Sequence, residues 1–240
     1  MSKKEMNYRK RYRYRLRRRK IILRRCIAVA ITVLVTSLFI YSAVQVVGLF
    51  NSDKYDDGFI PSPYGTNVSE KVKKAEETVM PDWVDVKLIH KHTTARTGIK
   101  LTDIKNIVIH YVGNPGTTAQ NNRDYFDKES TEVSSHFVVG LEGEIIQCVP
   151  IYEKSAASNK RNKDSISIEV CHMDESGKFN EETYNSLIKL VAWLCNEFSL
   201  DESQIIRHYD ITGKECPKYY VENEDEWENL KRDVEEKLNE

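Results

Sequence analysis

From Cys26 to Asn51 the chain carries no charged residue, and before that stretch it carries one acid, Glu5. The first absence excludes a solvated segment. The run CIAVAITVLVTSLFIYSAVQVVGLF is dominated by Ile, Val, Leu, Ala and Phe. At ~1.5 Å rise per residue, about 20 such residues cross a hydrocarbon core of ~30 Å. The second absence leaves residues 1–25 with thirteen Lys/Arg against one acid, a net of +12. Of the 36 basic and 37 acidic residues in the chain, 23 and 36 then remain for residues 26–240, a net of −13. A basic head alone would suit a polyanion such as nucleic acid. Beside an apolar run it reads as the positive-inside signal, so no nucleic-acid partner is assigned. Residues 1–25 are expected in the cytoplasm, 26–50 as one transmembrane helix, and the rest outside the cell membrane. A cleaved signal peptide fits less well, because its apolar region spans only ~7–15 residues.

Cysteine is scarce and its number is odd. Of five, Cys26 lies at the membrane edge and Cys216 belongs to the motif below. Cys148, Cys171 and Cys195 are left, each inside an apolar stretch, which predicts buried free thiols rather than a disulfide framework. A Cys148–Cys171 bridge between neighbouring strands is the one pairing left open. No internal repeat is present.

Residues 51–82 are polar and broken by Pro and Gly, and read as an extracytoplasmic stalk with one short helix. Compact character begins near Trp83, giving a domain over residues 83–240. DWVDVKLIHKH suggests an edge strand, and KNIVIHYVGNPG a buried strand opening into a Gly/Pro loop at His110. TTAQNNRDYFDKES reads as a helix capped by Thr117 or Thr118. SSHFVVGLEGEIIQCVP reads as a hairpin turning at Glu142-Gly143. ISIEVCHM is a strand carrying Glu169. A helix capped by Asn180 repeats apolar residues at Tyr184, Leu187, Ile188, Val191, Cys195 and Phe198. DEWENLKRDVEEKL is a second amphipathic helix. The fold class is α/β (α+β): one mixed sheet with helices packed on it.

The stretch IIRHYDITGKECP concentrates the chemistry. His208 and Cys216, eight residues apart, reach one metal ion if Gly213 and Pro217 reverse the chain between and after them. With His110 they make a set of two imidazoles and one thiolate that leaves a fourth position open. That is the pattern of catalytic zinc, whereas structural sites usually close with four protein ligands. Each residue has a plainer reading: His110 as an interior histidine, Cys216 as a structural thiol, Lys214 as a solvated loop lysine. Ile166, Ile168 and Val170 share one face of their strand while Ser167, Glu169 and Cys171 share the other, a mixed face that suggests a groove. Asp210 is placed to orient a ligand imidazole or to fix the loop. His136, on the internal strand, and Asn114, in the loop after His110, are candidates for substrate contact. His172 is a weaker one. His90 and His92 read as surface residues of an edge strand.

With these residues in view, the stretch from Ile104 to Leu238 resembles the zinc-dependent N-acetylmuramoyl-L-alanine amidases, the family of phage endolysin amidases and peptidoglycan-recognition proteins. The marks are the strand ending in His110, the internal SHF strand, the SISIEV strand and the RHYDITGKECP loop. The resemblance implies a mixed, mostly antiparallel sheet flanked by helices. It implies Zn²⁺ in a surface groove on His110, His208 and Cys216. The implied reaction cleaves the amide between N-acetylmuramic acid and the L-alanine of peptidoglycan, with Glu169 and Lys214 as catalytic residues. One departure stands out: the catalytic Tyr that some members place before the internal His is Ser135 here. Relatives that only bind muropeptides commonly lose the Cys, and here all three ligand positions are filled. A non-catalytic peptidoglycan-binding module is therefore the second expectation.

Overall fold

The computed structural model describes residues 68–240, which belong to one compact unit. The expected membrane span, and Cys26, lie outside the described residues. Among those described, no helix is long and apolar enough to cross a membrane.

Six strands form one sheet: β1 (Val84–Val86), β2 (Asn106–Tyr111), β3 (Phe137–Val139), β4 (Ile145–Gln147), β5 (Ser165–Val170) and β6 (Ile205–Arg207). Their order is β1-β4-β3-β5-β2-β6. Only β3 and β4 pair antiparallel; β1–β4, β3–β5, β5–β2 and β2–β6 are parallel. The sheet is mixed, as expected, but mostly parallel rather than mostly antiparallel. The reason is connectivity. The turn at Gly143 (φ +81°) folds β3 directly back onto β4, whereas the other paired strands are joined by long crossovers through helices and loops.

Pleating divides each strand between two faces. Ile107 and Ile109 of β2, with Ile166, Ile168 and Val170 of β5, face the larger core. That core is covered by α3 (Glu181–Phe198) and by α6 (Glu224–Leu238), which follows the short α5 (Lys218–Glu222); α3 and α6 contribute Leu187, Leu190, Val191, Leu194, Trp227, Leu230 and Val234. As expected, Asn180 caps α3, its Oδ1 accepting the Thr183 N–H at 2.8 Å. On the opposite face α2 (Ala119–Phe126) packs Ala119 and Phe126 against Val138, Ile146, Cys148 and Cys171. Thr118 caps it in a reciprocal box with Asn121.

One boundary shifts. The short helix assigned to the stalk, α1 (Glu70–Glu77), buries Val72 and Ala75 in the larger core. The compact domain thus includes α1 and extends N-terminal to the expected boundary at residue 83. Cys148, Cys171, Cys195 and Cys216 are free and buried, so no Cys148–Cys171 bridge forms.

Candidate metal centre

Parallel register assembles the site. His110 on β2 lies directly opposite Glu169 on β5, so both side chains project from the same face of adjacent strands. β6 runs beside β2 and delivers His208, the first residue of a one-turn helix, α4 (His208–Thr212). β6 itself stops at Arg207. Gly213, at φ +76°, ends α4 in the left-handed region open to glycine. The Tyr209 N–H donates to the Cys216 carbonyl at 2.9 Å and closes the loop, bringing Cys216 back beside His208.

The ligand atoms of His110, His208 and Cys216 all lie within 4.8 Å of one another. His110 Nδ1 is 3.8 Å from Cys216 Sγ, and the two imidazoles lie 4.7 Å apart between centroids. Each ring has its far nitrogen engaged: His110 Nε2 by Ser158 Oγ at 3.1 Å, His208 Nε2 by Asn159 Oδ1 at 2.7 Å. Burial and neighbouring positive charge hold both imidazoles below their ordinary pKa, His110 well below it. Their lone pairs are thus available at neutral pH. Burial pushes the Cys216 thiol up to about 12, helped by Glu169 and opposed by the Tyr111 N–H and Lys214. Two neutral imidazoles and one thiol, converging with their outer nitrogens tied, fit Zn²⁺, and binding removes the thiol proton.

Glu169 Oε2 is buried without a hydrogen-bond partner. Desolvation raises this carboxyl to about 8, with Lys214 pulling the other way. Lys214 is exposed on the loop, yet its charge acts on His110, Glu169, His208 and Cys216 together. The site opens into a cavity of about 1240 Å³ lined by all five of these residues and by Asn114, Tyr125, Lys128 and Asn159.

The other expected residues separate. Asn114 lines the cavity. His136 does not: it is fully buried with both ring nitrogens used, so its assignment to substrate contact is corrected. The Ser167 N–H donates to Nδ1 at 2.9 Å, which leaves Nε2–H to donate to the Glu153 carbonyl at 2.8 Å. His172 is buried too, stacked on Tyr111 at 5.1 Å and off the cavity wall. Asp210 fixes the loop rather than an imidazole. Its carboxylate accepts the Arg207 N–H at 2.7 Å and pairs with the Arg207 guanidinium at 2.9 Å. Arg207 in turn reaches Glu224 at 2.6 Å and ties the loop to α6. His90 is exposed and paired with Asp127; His92 is exposed at φ +67°. Both lie beyond β1, in the turn after it. Ser158 and Asn159 carried no signal in the sequence, where they sit in a polar loop without periodicity.

A family profile described as N-acetylmuramoyl-L-alanine amidase matches residues 100–219, half of the chain. N-acetylmuramoyl-L-alanine amidase BlyA of Bacillus subtilis (strain 168) is 33% identical over 171 residues, covering 62% of this chain and 46% of that protein. N-acetylmuramoyl-L-alanine amidase CwlL of Bacillus licheniformis is 32% identical over 161 residues, covering 60% and 44%. The chain thus spans less than half the length of these curated relatives. A solved mutant endolysin from Bacillus subtilis superposes with a TM-score of 0.56 at 25% identity, over 63% of this chain and 97% of that one. The matched residues run from just before β2 through the loop that carries His208 and Cys216, and on this ground the chain belongs to the N-acetylmuramoyl-L-alanine amidase family.

Proposed function

We propose that this protein is a zinc hydrolase that cleaves the amide between N-acetylmuramic acid and L-alanine in peptidoglycan, and that residues 26–50 hold it in the cell membrane with residues 68–240 outside. The observation that carries the reading is the convergence of His110, His208 and Cys216 beside an unpartnered buried carboxylate in one open cavity. The family match supports the substrate, since both named relatives are N-acetylmuramoyl-L-alanine amidases.

An amide resists water because its carbonyl is a weak electrophile and its amine a poor leaving group. Bound Zn²⁺ would supply Lewis acidity, polarising the carbonyl and lowering the pKa of water. The residues supply the rest. Glu169, whose register places it next to His110, takes a proton from the attacking water and returns it to the departing alanine nitrogen. Burial raises its carboxyl, and the charge of a bound ion together with Lys214 would draw it back toward the ionised form that accepts a proton. Lys214 brings positive charge toward the oxyanion that develops on the carbonyl. Asn114, on the cavity wall, is placed to hydrogen-bond the peptide.

The test uses the full 240-residue chain in detergent, loaded with zinc and incubated with purified peptidoglycan. New L-alanine amino termini, followed by mass spectrometry, are expected from the wild type and about 10²- to 10⁴-fold more slowly from Glu169→Gln. Muropeptide retained without new termini would replace the hydrolase by a binding module.

A further inference from the structure

The loop between β4 and β5 meets both histidine ligands from behind, and it does so with consecutive residues. Ser158 Oγ lies 3.1 Å from His110 Nε2, and Asn159 Oδ1 lies 2.7 Å from His208 Nε2. Ser158 is fully buried, so its hydroxyl has no competing water. Asn159 stands at φ +51°, a left-handed backbone that aims its amide back toward α4. The bend is itself braced. The Asn162 side-chain oxygen accepts from both the Ala157 N–H at 3.1 Å and the Ser158 N–H at 2.6 Å. The Arg161 N–H donates to the Ser158 carbonyl at 2.9 Å, and the Ser165 hydroxyl ties the Arg161 carbonyl to the first residue of β5 at 2.7 Å.

The chemistry of the pair follows from what an amide oxygen can do. Asn159 Oδ1 only accepts, so it selects the His208 tautomer with the proton on Nε2 and the lone pair on Nδ1. The Ser158 hydroxyl can donate or accept, so it fixes the direction of the His110 ring rather than its tautomer; it holds Nε2 and leaves Nδ1 facing Cys216 Sγ, the 3.8 Å contact seen in the structure. Outer hydrogen bonds of this kind fix ring orientation and raise ligand basicity. We infer that the Ser158–Asn159 turn is the positioning device of the metal centre: one bend sets the direction of both imidazoles, and the tautomer of His208, before the ion arrives. The inference rests on the zinc reading above, and it assigns Nδ1 as the ligating atom of both histidines.

The experiment measures Zn²⁺ affinity of the full chain by competition with a chromophoric chelator, alongside the visible spectrum of the Co²⁺-loaded protein. Asn159→Gly removes the amide and keeps the left-handed backbone. It is expected to weaken Zn²⁺ about 10- to 100-fold and to shift the Co²⁺ bands. Asn159→Asp restores the acceptor and is expected to return affinity to within a few fold of wild type. Ser158→Ala is expected to weaken binding as well, and it decides the matter if the glycine variant does not fold. Glycine and alanine variants that bind as tightly as wild type, with unchanged Co²⁺ spectra, would overturn the inference. Wild-type protein that binds no Zn²⁺ gives a different signature: it sinks the metal site itself, and the inference with it.

Discussion

One face of β5 carries two polar clusters, and they differ in what they leave undone. Around Glu169 the groups are incomplete: a carboxylate oxygen lacks a partner, His110 Nδ1 meets only the Cys216 thiol at 3.8 Å, and the cavity reaches both. Two residues earlier, Ser167 belongs to a cluster that is closed. Its hydroxyl meets Ser155 at 2.8 Å and His136 at 3.1 Å. His136 passes to the Glu153 carbonyl, and the Glu153 carboxylate takes two bonds from Arg96 at 2.8 and 3.0 Å. Buried polar groups are normally satisfied, so the closed cluster is the ordinary case. The open one departs from it, and the proposed reaction accounts for the departure: its unsatisfied atoms are the ones that a metal ion, water and substrate would complete. Satisfaction, more than burial or residue type, separates His136, whose two nitrogens are both used, from His110 and His208, which converge with Cys216.

The largest expected effect comes from emptying the open cluster. Chelating zinc, or replacing Cys216 by Ala, is expected to take peptidoglycan cleavage to background. The melting temperature of the zinc-loaded wild type should fall on chelation, since an ion that binds only the native state stabilises it. Cys216→Ala should show no such dependence. Next comes Glu169→Gln, which keeps the shape and removes the titrating group. Turnover should drop about 10²- to 10⁴-fold, the usual worth of a positioned acid–base group. Zinc stoichiometry should stay at the wild-type value. A glutamine variant that turns over normally would move Glu169 out of the chemistry and leave the open cluster as a metal site only.

The sequence shows the open cluster better than the closed one. His208, Gly213, Lys214, Cys216 and Pro217 are packed into ten residues, and their types alone suggest a ligand loop. His110 is legible because an apolar β-branched run ends in it. Glu169 is legible because period-two alternation sets it opposite Ile168 and Val170. Long-range pairing is what stays hidden. Nothing in the spacing of Ser158 and Asn159 says that their loop reaches behind two histidines 48 and 49 residues away in sequence. His136 misleads for the same reason: a histidine on a strand looks alike whether its nitrogens meet a groove or two backbone groups. The parallel sheet eluded the resemblance because strand order is fixed by crossovers, which local patterns do not record. Val72 and Ala75 were concealed by the polar residues around them in α1.

The closed cluster should fail differently. Arg96→Met leaves the Glu153 carboxylate buried with Lys91, at 3.7 Å, as its remaining cation. Breaking a buried pair from one side costs about 3–5 kcal/mol, because an uncompensated charge stays inside. Urea unfolding of the zinc-free chain would measure it. Zinc affinity of the molecules that remain folded should be unchanged, since Arg96 touches no ligand. A loss of zinc binding without a loss of stability would mean the two clusters are coupled, and the comparison would break.

The smallest effect concerns pH, and its sign distinguishes His136 from a surface histidine. Burial lowers its pKa from 6.5 to about 4, with Glu153 pulling upward but not prevailing. In the unfolded chain it titrates near 6.5, so between pH 6.5 and 4 the unfolded state binds a proton that the native state refuses. Stability from this group is therefore fully present above pH 6.5, is lost as pH falls toward 4, and changes no further below. At ~1.4 kcal/mol per pKa unit the loss comes to about 3 kcal/mol. Measuring the zinc-free protein keeps metal release out of the result. His136→Asn removes the titration, so the stability gap between wild type and variant should narrow by that amount from pH 7 to pH 4. A gap that stays constant would mean His136 takes up its proton in the native state. The closed cluster would then have room for a charge, and satisfaction would no longer be what sets it apart from the metal centre.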